Sequence, residues 1–219
     1  MIEALLAAWE PHKTLSQPAV AFAKLWGSGG CGVWLSDEWG PPIPYFAVDH
    51  HDGNKNHGYL PTKRDVAAIA AIPEVHGWPE LQQFLEAVNA ASSPIESVGC
   101  EKAYFPLDEP LGGPTVRIGS YIDVIFTDPK FNEDPINVLR LASYLIPAVA
   151  ECEKWWGDIS FVVQRCKFIA GTSVPWGMMF QIKNVGRDER EARKFWGESL
   201  RRLGLAITSL PPNAGFTKQ

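Results

Sequence analysis

Positive charge is scarce over most of this chain. Residues 1–186 hold 13 Lys and Arg against 21 Asp and Glu, and only residues 187–219 reverse the balance, with seven against four, for a formal total of −5. An acidic body lacks the cations that displace counterions from phosphates, so a broad nucleic-acid surface is excluded. It suits solubility and docking onto a basic protein. Also missing is any apolar run near the ~18 residues that cross a bilayer, so no membrane association is expected. The apolar stretch Met1 to Glu10 is flanked by Glu3 and Glu10, with no basic region before it. That fails the pattern of a secretion signal, and the expectation is a cytoplasmic protein. The four cysteines, Cys31, Cys100, Cys152 and Cys166, form no CxxC pair. They read as free, mostly buried thiols rather than a zinc site.

What is present is a globular composition, with 46% apolar and 21% charged residues in 219. The length fits a single domain over 1–219, with a possible N-terminal lobe (1–93) and a sheet-and-helix core (94–210). The second half reads twice as strand, strand, helix. Ile95 to Phe105 and Val116 to Phe126 are strand-like, the latter alternating clearly, and an apolar helix follows from Pro135 behind Asp134 as N-cap. Ile159 to Phe168 and Met178 to Lys183 make the second pair, followed by a helix from Asp188 with Gly204 as its C-cap. Leu205 to Leu210 reads as a final strand. The fold class expected is α+β, mainly antiparallel, with helices packed on the sheet. We find no residue-level repeat between the two halves.

The first half reads as a helical and loop lobe. Helix candidates are residues 2–9, Pro18 to Trp26, Thr62 to Ile72 (with Thr62 and Asp65 as a capping box) and Leu81 to Ala91. Gly27 to Gly32 reads as a flexible turn, and Val33 to Leu35 and Tyr45 to Val48 as short strands. Asp49 to Gly58 reads as a polar loop, and Asn213 to Gln219 as a fraying end.

Three groups of residues carry candidate chemistry. Asp49, His50, His51, Asp52 and His57 bring imidazoles and carboxylates together, the donor set of a transition-metal or general-base site. Adjacent histidines on an extended segment point to opposite sides, however, so a solvated loop is the simpler interpretation. Cys31, in its glycine loop, would need His50 or His51 to activate it. This pairing, or a bound metal, defines the alternative of a small hydrolase or transferase. The same loop lacks the Lys-Ser/Thr ending of a phosphate loop. Asp108, Glu109, Asp123, Asp128, Glu133 and Asp134 crowd the first hairpin and its exit as an acidic rim. The chain also holds nine tryptophans. Trp196 and one of Trp155 or Trp156 suit a core, whereas Trp34, Trp39 and Trp176 stand beside glycine or proline as candidate interface or carbohydrate-stacking anchors.

Tryptophan-glycine pairs recur at Trp26-Gly27, Trp39-Gly40, Trp156-Gly157, Trp176-Gly177 and Trp196-Gly197. In these pairs, its length and its α+β pattern the chain resembles bacterial immunity proteins of polymorphic-toxin and type VI secretion systems, in particular immunity family fifty-two. The resemblance implies a cytoplasmic, non-catalytic protein that binds a cognate protein toxin, often a nuclease, and occludes its active site. It implies no cofactor, metal or catalytic residue. The expected contact residues are Trp34 and Trp39 with the acidic rim Asp108, Glu109, Asp128 and Glu133.

Overall fold

Period-two sequence dictates the middle of this protein. The computed structural model describes residues 22–43, 47–49, 55–107, 113–168 and 175–210. Strands β1 (Phe22–Ser28), β2 (Cys31–Ile43), β3 (Ala47–Asp49) and β4 (Lys55–His57) precede helix α1 (Pro79–Asn89). Then come β5 (Ile95–Pro106), β6 (Val116–Phe126), α2 (Pro135–Val149), β7 (Gly157–Phe168), β8 (Trp176–Gly186) and α3 (Glu189–Thr208). The molecule is α+β, with one six-stranded mixed sheet ordered β1-β2-β7-β8-β6-β5 and a separate β3-β4 pair. The β2-β7 pairing is parallel; the other four in the large sheet are antiparallel.

Alternation sends Ile118, Ile122 and Val124 of β6, Met178, Phe180 and Ile182 of β8, and Ile159, Phe161 and Val163 of β7 into one core. The helices cover that face. Phe180 meets Phe161 and Phe84 edge-on, with centroids 5.7 and 6.0 Å away. Each such ring contributes about 1.5–3 kcal/mol by leaving water.

Buried polar groups fix how the helices seat. The Trp196 indole donates to Ser120 Oγ at 2.9 Å, tying α3 to β6. Asn89 donates to Ser97 Oγ and accepts from Ser97 N–H, tying α1 to β5. The Lys63 ammonium donates to the carbonyls of Ala90 and Ser93 at 2.6 Å and of Ile95 at 3.1 Å, using all three of its protons beyond the C-terminus of α1. At Ser199, Trp155 Nε1–H donates to the hydroxyl at 3.0 Å, and the hydroxyl donates to Asn184 Oδ1 at 3.2 Å. Asn184 Nδ2 in turn donates to the Trp155 carbonyl.

The helix starts follow local capping. Asp134 accepts from Ile136 N–H and Asp188 from Glu191 N–H. Several expectations need correction. Residues 22–28 form β1 rather than the end of a helix, so this part of the expected N-terminal helical and loop lobe joins the sheet. The glycine loop is no flexible span. Gly27 pairs with Gly32 across the ladder, and only Gly29 and Gly30, at φ 59° and 75°, make the turn. Two consecutive positive φ values define the hairpin turn that matches strand twist, and glycine adopts them without strain. That tight turn lets β1 fold back on β2, and pairing overrides the weak helical spacing.

Thr62 caps nothing; Asp65 is the N-cap, and of a 3-10 turn (Val66–Ala71) rather than an α-helix. Helix α3 continues through Gly204 to Thr208, so there is no final strand at Leu205. A Cβ at Gly204 would lie 3.6 Å from Ala87 and one at Gly197 would lie 3.0 Å from Glu80. These glycines thin α3 where α1 crosses it. The stretch expected as a polar loop contributes Asp49 and Lys55–His57 to the β3-β4 pair. Residues 2–9 and 213–219 lie outside the described residues.

Replacing Ser199 with Ala leaves the buried Trp155 N–H and Asn184 Oδ1 without this partner. Urea unfolding of Ser199→Ala is expected to show about 1–3 kcal/mol lost stability, with the m-value unchanged.

Candidate functional site: the open face of the sheet

The alternation that sends one set of side chains into the core sends the other set to the face that none of the described helices covers; Val98, Asp123, Val162, Gln164 and Cys166 are nonetheless buried there, and Glu101, Phe105, Asp158 and Lys183 are its exposed part. Cross-strand register aligns them in rows. Ser160, Gln181, Tyr121 and Glu101 form one row, and Trp34, Val162, Met179 and Asp123 the next. Beside the first row lie Asp158, Lys183, Gly119 and Ala103. At the β5-β6 corner the Arg117 guanidinium stacks on the Phe105 ring at 5.1 Å.

Asp123 is the chemical centre of this face. It is 1% exposed, and Gln164 Nε2 donates to its Oδ1 at 3.1 Å. A buried carboxylate needs such donors because losing water costs the charged form several kcal/mol. Neighbouring groups register its field. Burial first, then Glu101 and Asp123, hold the Tyr121 phenol far above its ordinary range. Burial and Asp123 push the Cys166 thiol up to about 12. Burial, with Glu74 and Asp123, pushes Cys100 up to about 12 as well.

At the far corner of the face Tyr59 packs on Val98, Cys166 and Ile125. Its hydroxyl donates to Glu96 at 3.4 Å. Burial and then Glu96 raise this phenol to about 12. Burial also raises Glu96, against the pull of Tyr59, Lys63 and Arg64.

The residues expected to act divide among several places. Trp34 lies on this face, half-buried, its indole N–H donating to Ser160 Oγ at 3.2 Å. Trp39 pairs through its backbone with Arg165 in β2. Asp128 is exposed but caps the turn Pro129–Asn132, accepting from Lys130 N–H at 3.0 Å; Glu133 is the exposed C-cap of that turn. Asp134 caps α2. Asp108 and Glu109 lie outside the described residues. Pro106 and Val116, which bracket them, stand at the opposite end of the β5-β6 ladder from Phe126. At ~3.3 Å per residue the two ends of β6 are separated by about 35 Å.

No protein-family model matches this chain, and neither a curated protein nor a solved structure shows significant similarity to it.

Other candidates fall into the fabric of the fold. Trp176 is not a loop aromatic: it opens β8 and is 7% exposed. Trp155 is buried, and Trp156 is its exposed neighbour. Cys31 is buried at the start of β2 as part of the helix-side core. His50 and His51 lie outside the described residues, and His57 is exposed in β4. Among the described residues no group of three or more His, Cys, Asp and Glu is placed to hold a metal ion. Asp123 and Tyr121 were legible as the polar side of an alternating strand. Gln164 and Ser160 were not, because nothing local marks which strand lies two places away.

Replacing Asp123 with Asn keeps an acceptor for Gln164 and removes the charge. A negative neighbour disfavours the phenolate, so Asp123→Asn is expected to lower the pH at which Tyr121 ionises. Burial still holds it above a free tyrosine. Ring-carbon NMR through an alkaline titration reads the change.

Proposed function

We propose that this protein is a binding protein of the immunity type, which occludes a cognate basic toxin with the open face of its sheet. The observation that supports this most is the composition of that face. Glu96, Glu101 and Asp158 reach its surface beside Arg117 and Lys183, and Trp34, Tyr121 and Phe105 lie among them. A nuclease cleft is basic because it receives phosphate, and an acidic face offers it the same sign of charge. Indole and phenol rings that are already oriented lose little entropy when a partner covers them. The tryptophan-glycine pairs point the same way, through the resemblance they carry. The expected rim residues Asp128 and Glu133, with Trp39, Asp108 and Glu109, belong to the same proposal as outer contacts.

The alternative of a hydrolase or transferase built on Cys31 has less in its favour. A nucleophilic thiol needs a depressed pKa and access to substrate. Cys31 is buried. The Cys100, Cys152 and Cys166 thiols are all pushed up, Cys152 to about 11 chiefly by burial.

The test is co-production of this chain with the product of the gene beside its own. Cells are expected to survive that product only when this chain is present, and the two proteins are expected to co-purify. Within that complex, the double change Glu101→Lys and Asp158→Lys should slow association at low salt and leave dissociation nearly unchanged. Trp34→Ala should speed dissociation, costing about 2 kcal/mol. Equal association rates for the native and charge-reversed chains at low salt would refute the electrostatic part. Substrate turnover by the purified chain, lost on replacing Cys31, would refute the whole.

A further inference from the structure

β5 ends the six-stranded sheet, and among the described residues nothing pairs with its outer side. The direction of its main-chain groups follows from alternation. Leu107 N–H donates to Thr115 O at 2.8 Å, toward β6. Phe105, Ala103, Glu101 and Gly99 therefore also turn their groups inward, while Cys100, Lys102 and Tyr104 turn theirs outward. Pro106 occupies the next outward position, where its missing N–H costs the β6 ladder nothing. A bulge between Ser97 and Gly99 closes the other end. The stretch from Cys100 to Pro106 is left as an extended edge with two large exposed side chains, Tyr104 at 45% and Phe105 at 42%. Such an edge is a template for another strand.

We propose that the occupant is a second copy of this chain: two β5 strands pair antiparallel about a two-fold axis through Ala103, joining the two sheets. The sequence of the edge selects that register. With Ala103 on the axis, Lys102 faces Tyr104 of the other copy across a hydrogen-bonded pair, and both residues present outward N–H and C=O groups. Cys100 N–H meets the Pro106 carbonyl. Glu101 stands opposite Phe105, so no like charges meet. An axis at Glu101 or Lys102 sets two carboxylates or two ammoniums directly opposite, and an axis at Tyr104 moves Pro106, with its missing donor, inward from Cys100 to face Lys102. Ala103 suits the axis because side chains approach most closely at a pair without hydrogen bonds. Lys102 already lies over the Trp78 ring at 4.6 Å, which orients it on the helix side, where the partner's Tyr104 arrives.

Sedimentation velocity on the full chain, up to about 100 μM, tests the proposal. The expected result is a concentration-dependent doubling of mass. Tyr104→Pro removes an outward N–H but no bond to β6, so it should raise the dimer dissociation constant at least about tenfold with an unchanged circular dichroism spectrum. Ala103→Cys places two thiols on the axis, at a Cα separation of about 4.5 Å, and should cross-link under mild oxidation. A monomer throughout the concentration range overturns the proposal. So does a dimer indifferent to Tyr104→Pro, or cross-linking by Glu101→Cys in place of Ala103→Cys.

Discussion

The hydroxyl of Ser199 ties α3 to the sheet. It lies where three parts of the chain that are remote in sequence meet: the turn before β7, the strand β8 and the helix α3. Trp155 and Asn184 both spend their buried polar atoms on it, and Asn184 returns a bond to the Trp155 carbonyl. From the same helix Trp196 donates to Ser120, and Gly197 and Gly204 face α1.

Charge is handled differently on the two sides. On the helix side Glu80 and Glu198 are each held by arginine. Burial opposes ionisation of Glu80, but the Arg193 guanidinium more than offsets this and holds the carboxyl below its ordinary range. Arg201, then Arg202, hold Glu198 down to about 2. On the open side Asp123 is buried and accepts from the Gln164 amide, and its charge raises Tyr121, Cys100 and Cys166.

Local signals were legible in the sequence where the chain decides for itself. The alternation of Val116 to Phe126 gave β6 its bounds, and Asp134 and Asp188 marked the starts of α2 and α3. Decisions taken by distant partners were not. Residues 22–28 had helical spacing, yet the turn at Gly29 and Gly30 laid them against β2. Gly204 had the look of a helix end, yet it lies inside α3, facing Ala87 and Phe84 of α1. The parallel β2-β7 pairing joins segments more than a hundred residues apart, and no short motif announces it. The same divide runs through the site: Tyr121 and Asp123 could be assigned to the polar side of one strand, whereas Gln164 reaches Asp123 across an intervening strand. Trp34 was expected as an interface anchor and does lie on the open face. Trp176 was misjudged because a glycine neighbour marks a close approach in a strand as well as a loop.

The burial that raises three of the thiols has a consequence for how the chain ages. Thiols raised this far carry little thiolate at neutral pH. Peroxide and disulfide reagents attack the thiolate, so Cys100, Cys152 and Cys166 are shielded for as long as the sheet stays closed. Their rate of chemical capture therefore counts the moments when the fold opens, giving the protein a built-in clock of its own unfolding.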